Sequence, residues 1–281
     1  AAAAQPLHTA AFAIIRRAMC CFSRSVRSVS RTRIFARSAA PGRQYLVYQM
    51  RYDADEEVAM ILPLPAALPA GGNSIRFLSL KDYASFFDDM DKGFPQPAEN
   101  FGPGPFGGSP SEETLKMESV GNFDASFVPT IRDFERLDPR FRIPEPTWGK
   151  LPDYHDFSFA VFQLKADAKT VHPIAFEFPT RLPEGELFFP TVHIHDGEVH
   201  ETADYDHTLY QQGGQPRGQT RLRHEESPVD DLSWAESRGI PVQFMQAGRA
   251  AGTVDPRLHI YRLSLKGKYL NRDFHTVQRI G

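Results

Sequence analysis

The chain divides its apolar residues into short runs separated by prolines and glycines, and this pattern restricts the folds open to it. Among its 281 residues are 22 Phe, 23 Pro and 20 Gly. Aromatic residues favour strands, whereas Pro and Gly mark turns and the ends of elements. We therefore expect a β-rich α+β fold, in which antiparallel sheets form a sandwich or a barrel with a few short helices.

Particular segments predict these strands and helices. Apolar runs bounded by turn residues predict strands at 43–52, 58–65, 75–80, 157–165, 171–179, 187–195, 198–203 and 257–265. Residues 166–169 predict a hairpin turn between two of these strands. Ser79, Thr130 and Ser227 are capping residues that predict the starts of three helices.

The first 52 residues carry charge of one sign. They contain nine Arg and no Lys, Asp or Glu, although the whole chain has a net charge of −3. An Arg- and Ser-rich N terminus is typical of an organelle transit peptide; the alternative is an arm that stays on the protein and packs against acidic surface. We divide the chain into an Arg-rich segment at 1–42, which is an arm or a targeting sequence, and a single β-rich domain at 43–281.

A glycine- and proline-rich segment interrupts that domain. Ten of the 18 residues at 93–110 are Gly or Pro, a composition that prevents regular structure. Loops this long are uncommon and are either functional or disordered. We predict a loop insertion here within one domain.

Charge and cysteine content narrow the partners and the compartment. The net charge gives no sign of nucleic-acid binding, and the apolar run at 10–15 is too short to span a bilayer. The two cysteines, Cys20 and Cys21, are adjacent, which excludes a disulfide framework. Reduced thiols fit a reducing compartment. With the Arg-rich N terminus they indicate a mitochondrion or another organelle, and the cytoplasm is the alternative.

Residues 193–200 hold the strongest candidate for a functional site. Asp196 and Gly197 predict a two-residue hairpin turn. Because side chains alternate along strands, four polar residues would then share one face: His193, His195, Glu198 and His200. Such a set suits a transition metal, whether zinc, copper or iron. We predict the three histidines as ligands, Glu198 as a ligand or general base, and Cys20 and Cys21 as additional soft ligands.

The predicted function depends on whether the face that carries the histidines is buried or exposed. If another part of the protein covers this face, the chain is a metal-binding domain and potentially a metalloenzyme. If the face is exposed to solvent, the chain is a non-catalytic accessory or structural subunit. Such a subunit would dock to a protein partner through its Arg-rich arm and the loop at 93–110. Motifs for dinucleotide, nucleotide triphosphate, esterase and zinc-protease chemistry are absent from the sequence.

Three segments together resemble an uncharacterised bacterial protein family. They are the paired cysteines in Met19-Cys20-Cys21-Phe22, the hydrophobic strand that ends in Leu62-Pro63-Leu64-Pro65, and the two predicted strands within 157–179. The resemblance covers residues 19–210. It implies no activity and no catalytic residues, because the function of that family is not established.

Overall fold

The computed structural model describes residues 21–24, 26–67, 74–95, 124–143, 145–165, 172–194, 198–217 and 233–278. These residues confirm the β-rich α+β fold expected from the sequence. They form fourteen strands: β1 (Cys21–Phe22), β2 (Ser28–Ser38), β3 (Arg43–Asp53), β4 (Val58–Leu64), β5 (Arg76–Ser79), β6 (Ala125–Val128), β7 (Ser158–Leu164), β8 (Ile174–Pro179), β9 (Glu186–Phe189), β10 (Thr202–Gln212), β11 (Pro216–Arg217), β12 (Ala235–Glu236), β13 (Ile260–Leu270) and β14 (Phe274–Gln278).

Within the described residues the strands form three sheets. The largest has the order β12-β13-β10-β2-β3-β8-β5, the second has the order β1-β4-β7-β6, and the smallest has the order β11-β14-β9. Neighbouring strands are antiparallel, except that β2 and β10 run parallel. The two larger sheets therefore build a mixed sandwich, and the smallest sheet stands beside it.

The main core lies between the two larger sheets. Ile34, Leu46 and Leu209 of the largest sheet belong to the same buried cluster as Met60 and Phe162 of the four-stranded sheet. A second cluster covers the opposite face of the largest sheet, and a third lies on the opposite face of the four-stranded sheet. Each of the larger sheets is thus buried on both faces, which explains why β4 is apolar throughout rather than alternating.

The helices are short. The helix predicted to start at Ser79 begins later, as α1 (Phe86–Asp91), because Ser79 ends strand β5. The short helix α2 spans Glu145–Trp148. The helix predicted after Thr130 is a single 3-10 segment, Ile131–Arg136. Four further 3-10 turns occur in the described residues, at Pro139–Phe141, Pro152–Tyr154, Pro241–Gln243 and Ala247–Arg249. The helix predicted at Ser227 starts outside the described residues, and the described part of that segment contains strand β12 instead. Most of the loop at 93–110 also lies outside the described residues.

Strand β2 corrects the predicted domain boundary at residue 43. It lies inside the largest sheet, between β3 and β10. It buries Ile34 and Ala36 in the sandwich core. Two of its three arginines have side-chain partners: Arg33 forms an ion pair with Asp88 at 2.5 Å, and Arg37 donates to the carbonyl oxygen of Thr253 at 2.7 Å. Residues 21–42 therefore belong to the folded domain. The apolar side chains of β2 alternate into the core, and hydrogen-bonded arginine side chains lie on the strand as well.

The predicted hairpin across residues 166–169 is also wrong. Strand β7 pairs with β4 and β6, whereas β8 pairs with β3 and β5. The two strands therefore lie in different sheets. Both are buried along their lengths, and a continuous apolar run does not specify which neighbour it pairs with.

Candidate functional site

The segment predicted as a histidine hairpin is not a strand pair. Strand β9 ends at Phe189 and pairs with β14, whereas β10 begins at Thr202 and pairs with β13 and β2. Pro190 follows Phe189 and has no N–H to continue a ladder. The predicted turn at Asp196 and Gly197 lies outside the described residues, together with His195 and Cys20.

Two side chains from the turn between β13 and β14, rather than a neighbouring strand, form hydrogen bonds with the backbone of residues 191–193. Asp273 Oδ1 accepts the N–H groups of Thr191 and Val192 at 2.8 and 3.1 Å. Asn271 accepts the N–H of His193 at 2.7 Å and donates to its carbonyl oxygen at 2.9 Å. A buried backbone needs such partners, and here side chains supply them. We call residues 271–273 the clamp.

The described candidate ligands point in different directions. His193 is buried, whereas Glu198 and His200 are exposed. Glu198 forms an ion pair with Lys150. Cys21 is buried in β1, bridges to Ile194, and directs its thiol toward the carbonyl oxygen of Val192 at 3.9 Å. The structure thus brings Cys21 beside the histidine segment. The carbonyl oxygens of His193 and His200 both accept from Asn271 Nδ2, but the His193 side chain is buried and that of His200 is exposed.

The side chain of His193 packs in a buried stack of aromatic rings. Its ring lies 4.4 Å from the ring of Tyr205 and 5.2 Å from that of His207, the two imidazoles being nearly parallel at 18°. Neither ring nitrogen of His207 has a hydrogen-bond partner among the described residues. Burial, and secondarily the nearby His193, lower the pKa of His207 well below 6.5. His207 is therefore a neutral ring that fills the core.

A cleft of about 580 Å³ opens between the clamp and the segment 150–157. Its walls combine apolar side chains with charged ones at the rim. The lining residues are Lys150, Leu151, Pro152, Asp153, Tyr154, Phe157, Phe188, Val192, Val199, Asn271, Arg272, Asp273, Phe274 and His275. Its volume falls in the range of small-ligand sites, so this cleft is the candidate functional site.

Asp273 is the polar centre of this cleft. Its second carboxylate oxygen accepts the hydroxyl of buried Tyr154 at 2.7 Å. Desolvation raises the pKa of Asp273 from 3.8 to about 6, although its three hydrogen bonds act in the opposite direction. Perturbed carboxyl groups in clefts are typical of functional sites. Desolvation, and the neighbouring Asp273, likewise raise the pKa of Tyr154 well above 10.0, so its hydroxyl stays protonated.

Metal binding stays a prediction. The described residues contain no group of three or more His, Cys, Asp or Glu side chains that could hold a metal ion. Two of the predicted ligands, His195 and Cys20, lie outside those residues, and elemental analysis of the purified protein tests the prediction directly.

In the same described part of the chain, no helix is long and apolar enough to cross a membrane.

Sequence reasoning missed Asp273, Tyr154 and the clamp. The one available signal was the pair Asn271 and Asp273 at the end of a strand, because Asn and Asp side chains often bond nearby backbone in turns. Their partners lie about 80 residues earlier in the chain. Local patterns carry no information about such distant partners.

The whole fold resembles that of a viral protein. The chain matches no family profile and no curated protein sequence. Its structure is similar to the crystal structure of baculovirus P35, with a TM-score of 0.52 and 13% identity over 89% of this chain and 97% of that one. A structure of P35 in complex with caspase-8 matches with a TM-score of 0.46 and 12% identity, over 89% and 96% of the two chains. The chain thus shares its β-rich fold with P35.

Proposed function

We propose that this chain is a non-catalytic protein that binds a protease of the caspase class. The likeness to the fold of baculovirus P35, across nearly the full length of both chains, carries the proposal. The partner class comes from P35, which is found in complex with caspase-8. A shared fold supports a shared function only by analogy, so a direct test is required.

The placement of the reactive groups supports a binding role over a catalytic one. The Cys21 thiol is buried within strand β1, and the ring of His207 is 1% exposed. A nucleophile or a base must reach its substrate. Both side chains instead pack inside the fold. Asp273 does line the cleft, where it is engaged by Thr191, Val192 and Tyr154.

We place the partner-binding elements in residues 1–20 and in the loop at 93–110. These segments adjoin the described fold at β1 and α1. The first carries Arg16 and Arg17 and no acidic residue, and the second is rich in Gly and Pro. Segments of such composition can bind a partner over a large surface. The structure requires a deletion to stop at residue 20, because removing β2 would remove a central strand of the largest sheet.

Inhibition kinetics test the proposal. Active caspase-8 is assayed on a fluorogenic peptide with and without the purified full chain, and trypsin serves as the control for protease class. We expect the chain to slow caspase-8 and to leave trypsin unchanged. A folded chain in large excess that leaves caspase-8 at its full rate would overturn the proposal.

Two variants locate the binding elements. One lacks residues 1–20, and the other carries a Gly-Ser linker of equal length in place of 96–110. We expect each to keep the cooperative unfolding of the full chain and to inhibit caspase-8 more weakly. If both inhibit as well as the full chain, binding lies on the described surface instead and the placement of these elements is wrong.

A further inference from the structure

The cleft beside the clamp contains a carboxylate that forms no ion pair with the described residues. In the described part of the chain, Asp273 accepts hydrogen bonds from three neutral donors: the N–H groups of Thr191 and Val192 and the hydroxyl of Tyr154. An ionised carboxylate has about four acceptor positions. One position, on the oxygen that faces Tyr154, is thus left for a ligand donor.

Two basic side chains at the rim already contact carboxylates. Lys150 pairs with Glu198, and His275 Nδ1 lies 2.9 Å from a carboxylate oxygen of Glu186. Arg272 also lines the cleft and is exposed. Desolvation is the largest influence on the pKa of Asp273, and the charge of His275 acts against it. An anionic ligand would have to compete with Glu198 and Glu186 for Lys150 and His275.

The wall beside Asp273 is apolar. Leu151, Val192 and Val199 line the cleft, together with Phe157, whose ring already lies 4.8 Å from the Arg181 guanidinium. Phe188 and Phe274 also line it but are 0% and 1% exposed, so they offer a ligand no ring face. A carboxylate at the end of an apolar cleft therefore matches an ammonium group carried on an apolar body.

We propose that this cleft binds a primary ammonium group attached to an aromatic or branched apolar body, and that Asp273 accepts its N–H. The body lies against Leu151, Val192 and Val199, which line the cleft. This chemistry occurs in free aralkylamines and in the N terminus of a peptide that begins with Phe. The proposal is independent of protease binding, because it rests only on the cleft.

Calorimetric titration with three matched probes tests the charge preference. The full chain is titrated at pH 7.5 with 2-phenylethylammonium, 2-phenylethanol and phenylacetate, which share a ring and differ in charge. We expect the ammonium to bind about tenfold more tightly than the alcohol, and phenylacetate to bind least. Equal binding of all three, tightest binding of phenylacetate, or no binding of the ammonium at millimolar concentrations would each overturn the proposal.

Two variants and two peptides complete the test. Asp273→Asn should remove the preference for the ammonium over the alcohol, whereas Asp204→Asn, the same change at an exposed aspartate outside the cleft, should keep it. If Asp273→Asn unfolds, the wild-type chain at pH 5 replaces it, since a protonated Asp273 should bind the ammonium more weakly. A Phe-initiated peptide with a free N terminus that binds more tightly than the free amine identifies a peptide as the ligand, whereas an acetylated copy that binds equally well contradicts the role of the ammonium.

Discussion

At the scale of single residues, His207 shows how a polar side chain can serve as core. Its ring is stacked on His193 and Tyr205, and it lies in β10 between Tyr205 and Leu209, which point to the same face. That alternation was visible in the sequence. The sequence did not show that the ring would be left without hydrogen bonds, because this depends on the strands on either side.

Replacement of His207 should change how stability depends on pH. The folded chain keeps His207 neutral, whereas the unfolded chain binds a proton below pH 6.5. Wild-type stability should therefore fall as the pH drops below 6.5, by up to about 1.4 kcal/mol per pH unit from this residue. His207→Phe should be at least as stable at pH 8 and should lose this slope, as measured by urea unfolding from pH 8 to pH 5. Exposed His200→Gln is the control, and an unchanged slope in His207→Phe would contradict this account.

Asp273 should produce the opposite dependence on pH. Its pKa is raised from 3.8 to about 6 in the folded chain, so the folded state holds this proton more tightly than the unfolded state. This contribution to stability is complete below pH 3.8 and is lost as the pH rises through about 6. Asp273→Asn keeps the shape of the group and should remove that loss. A variant whose unfolding follows the wild-type pH profile between pH 4 and 6 would show that Asp273 titrates normally.

At the scale of elements, local patterns predicted some strands and missed others. β3 and β4 lie where the alternating and apolar runs placed them. β2 and β14 were not predicted, and the strand predicted at 198–203 overlaps only the start of β10. The strand expected to reach His195 ends at Phe189, because Pro190 interrupts the ladder and the clamp takes over the backbone hydrogen bonds. Asp-Gly is a local signal for a turn, whereas the clamp residues come from a turn far along the chain.

Gln44 links two sheets through hydrogen bonds that no strand pairing supplies. Its buried side chain accepts the N–H of Phe188 at 3.0 Å and donates to the carbonyl oxygen of the same residue at 2.7 Å. Gln44→Ala leaves both backbone groups buried without partners, so we expect a loss of about 2–4 kcal/mol in the free energy of unfolding. Arg51→Ala, on the same strand but exposed, should change it by less than about 0.5 kcal/mol. Equal effects in chemical denaturation would show that Gln44 forms no such link.

At the scale of the whole molecule, the segment predicted as an Arg-rich arm at 1–42 falls into two parts. Residues 28–38 are a central strand, whereas residues 1–20 precede the first described strand. A chain lacking 1–20 should show the circular dichroism spectrum and cooperative unfolding of the full chain. A chain lacking 1–42 should not fold, because β3 and β10 lose the strand that joins them. Cooperative unfolding of the shorter chain would contradict the sheet order.

Packing between distant parts of the chain explains why the sequence predicted a metal site rather than a cleft. The histidines are close in sequence, so their pattern was visible. The cleft draws on residues 150–157, 188–199 and 271–275, which meet only after the smallest sheet packs beside the sandwich. The overall β-rich class was predictable from composition, but the likeness to P35 was not, since identity is only 13%.

Size-exclusion chromatography with light scattering, on a mixture of the purified full chain and caspase-8, tests the proposed binding of a caspase. We expect a new peak whose mass equals that of caspase-8 plus bound chain. That peak should be lost when the variant lacking residues 1–20 replaces the full chain. Separate elution of the two folded proteins at concentrations well above those of the kinetic assay would contradict the proposed binding.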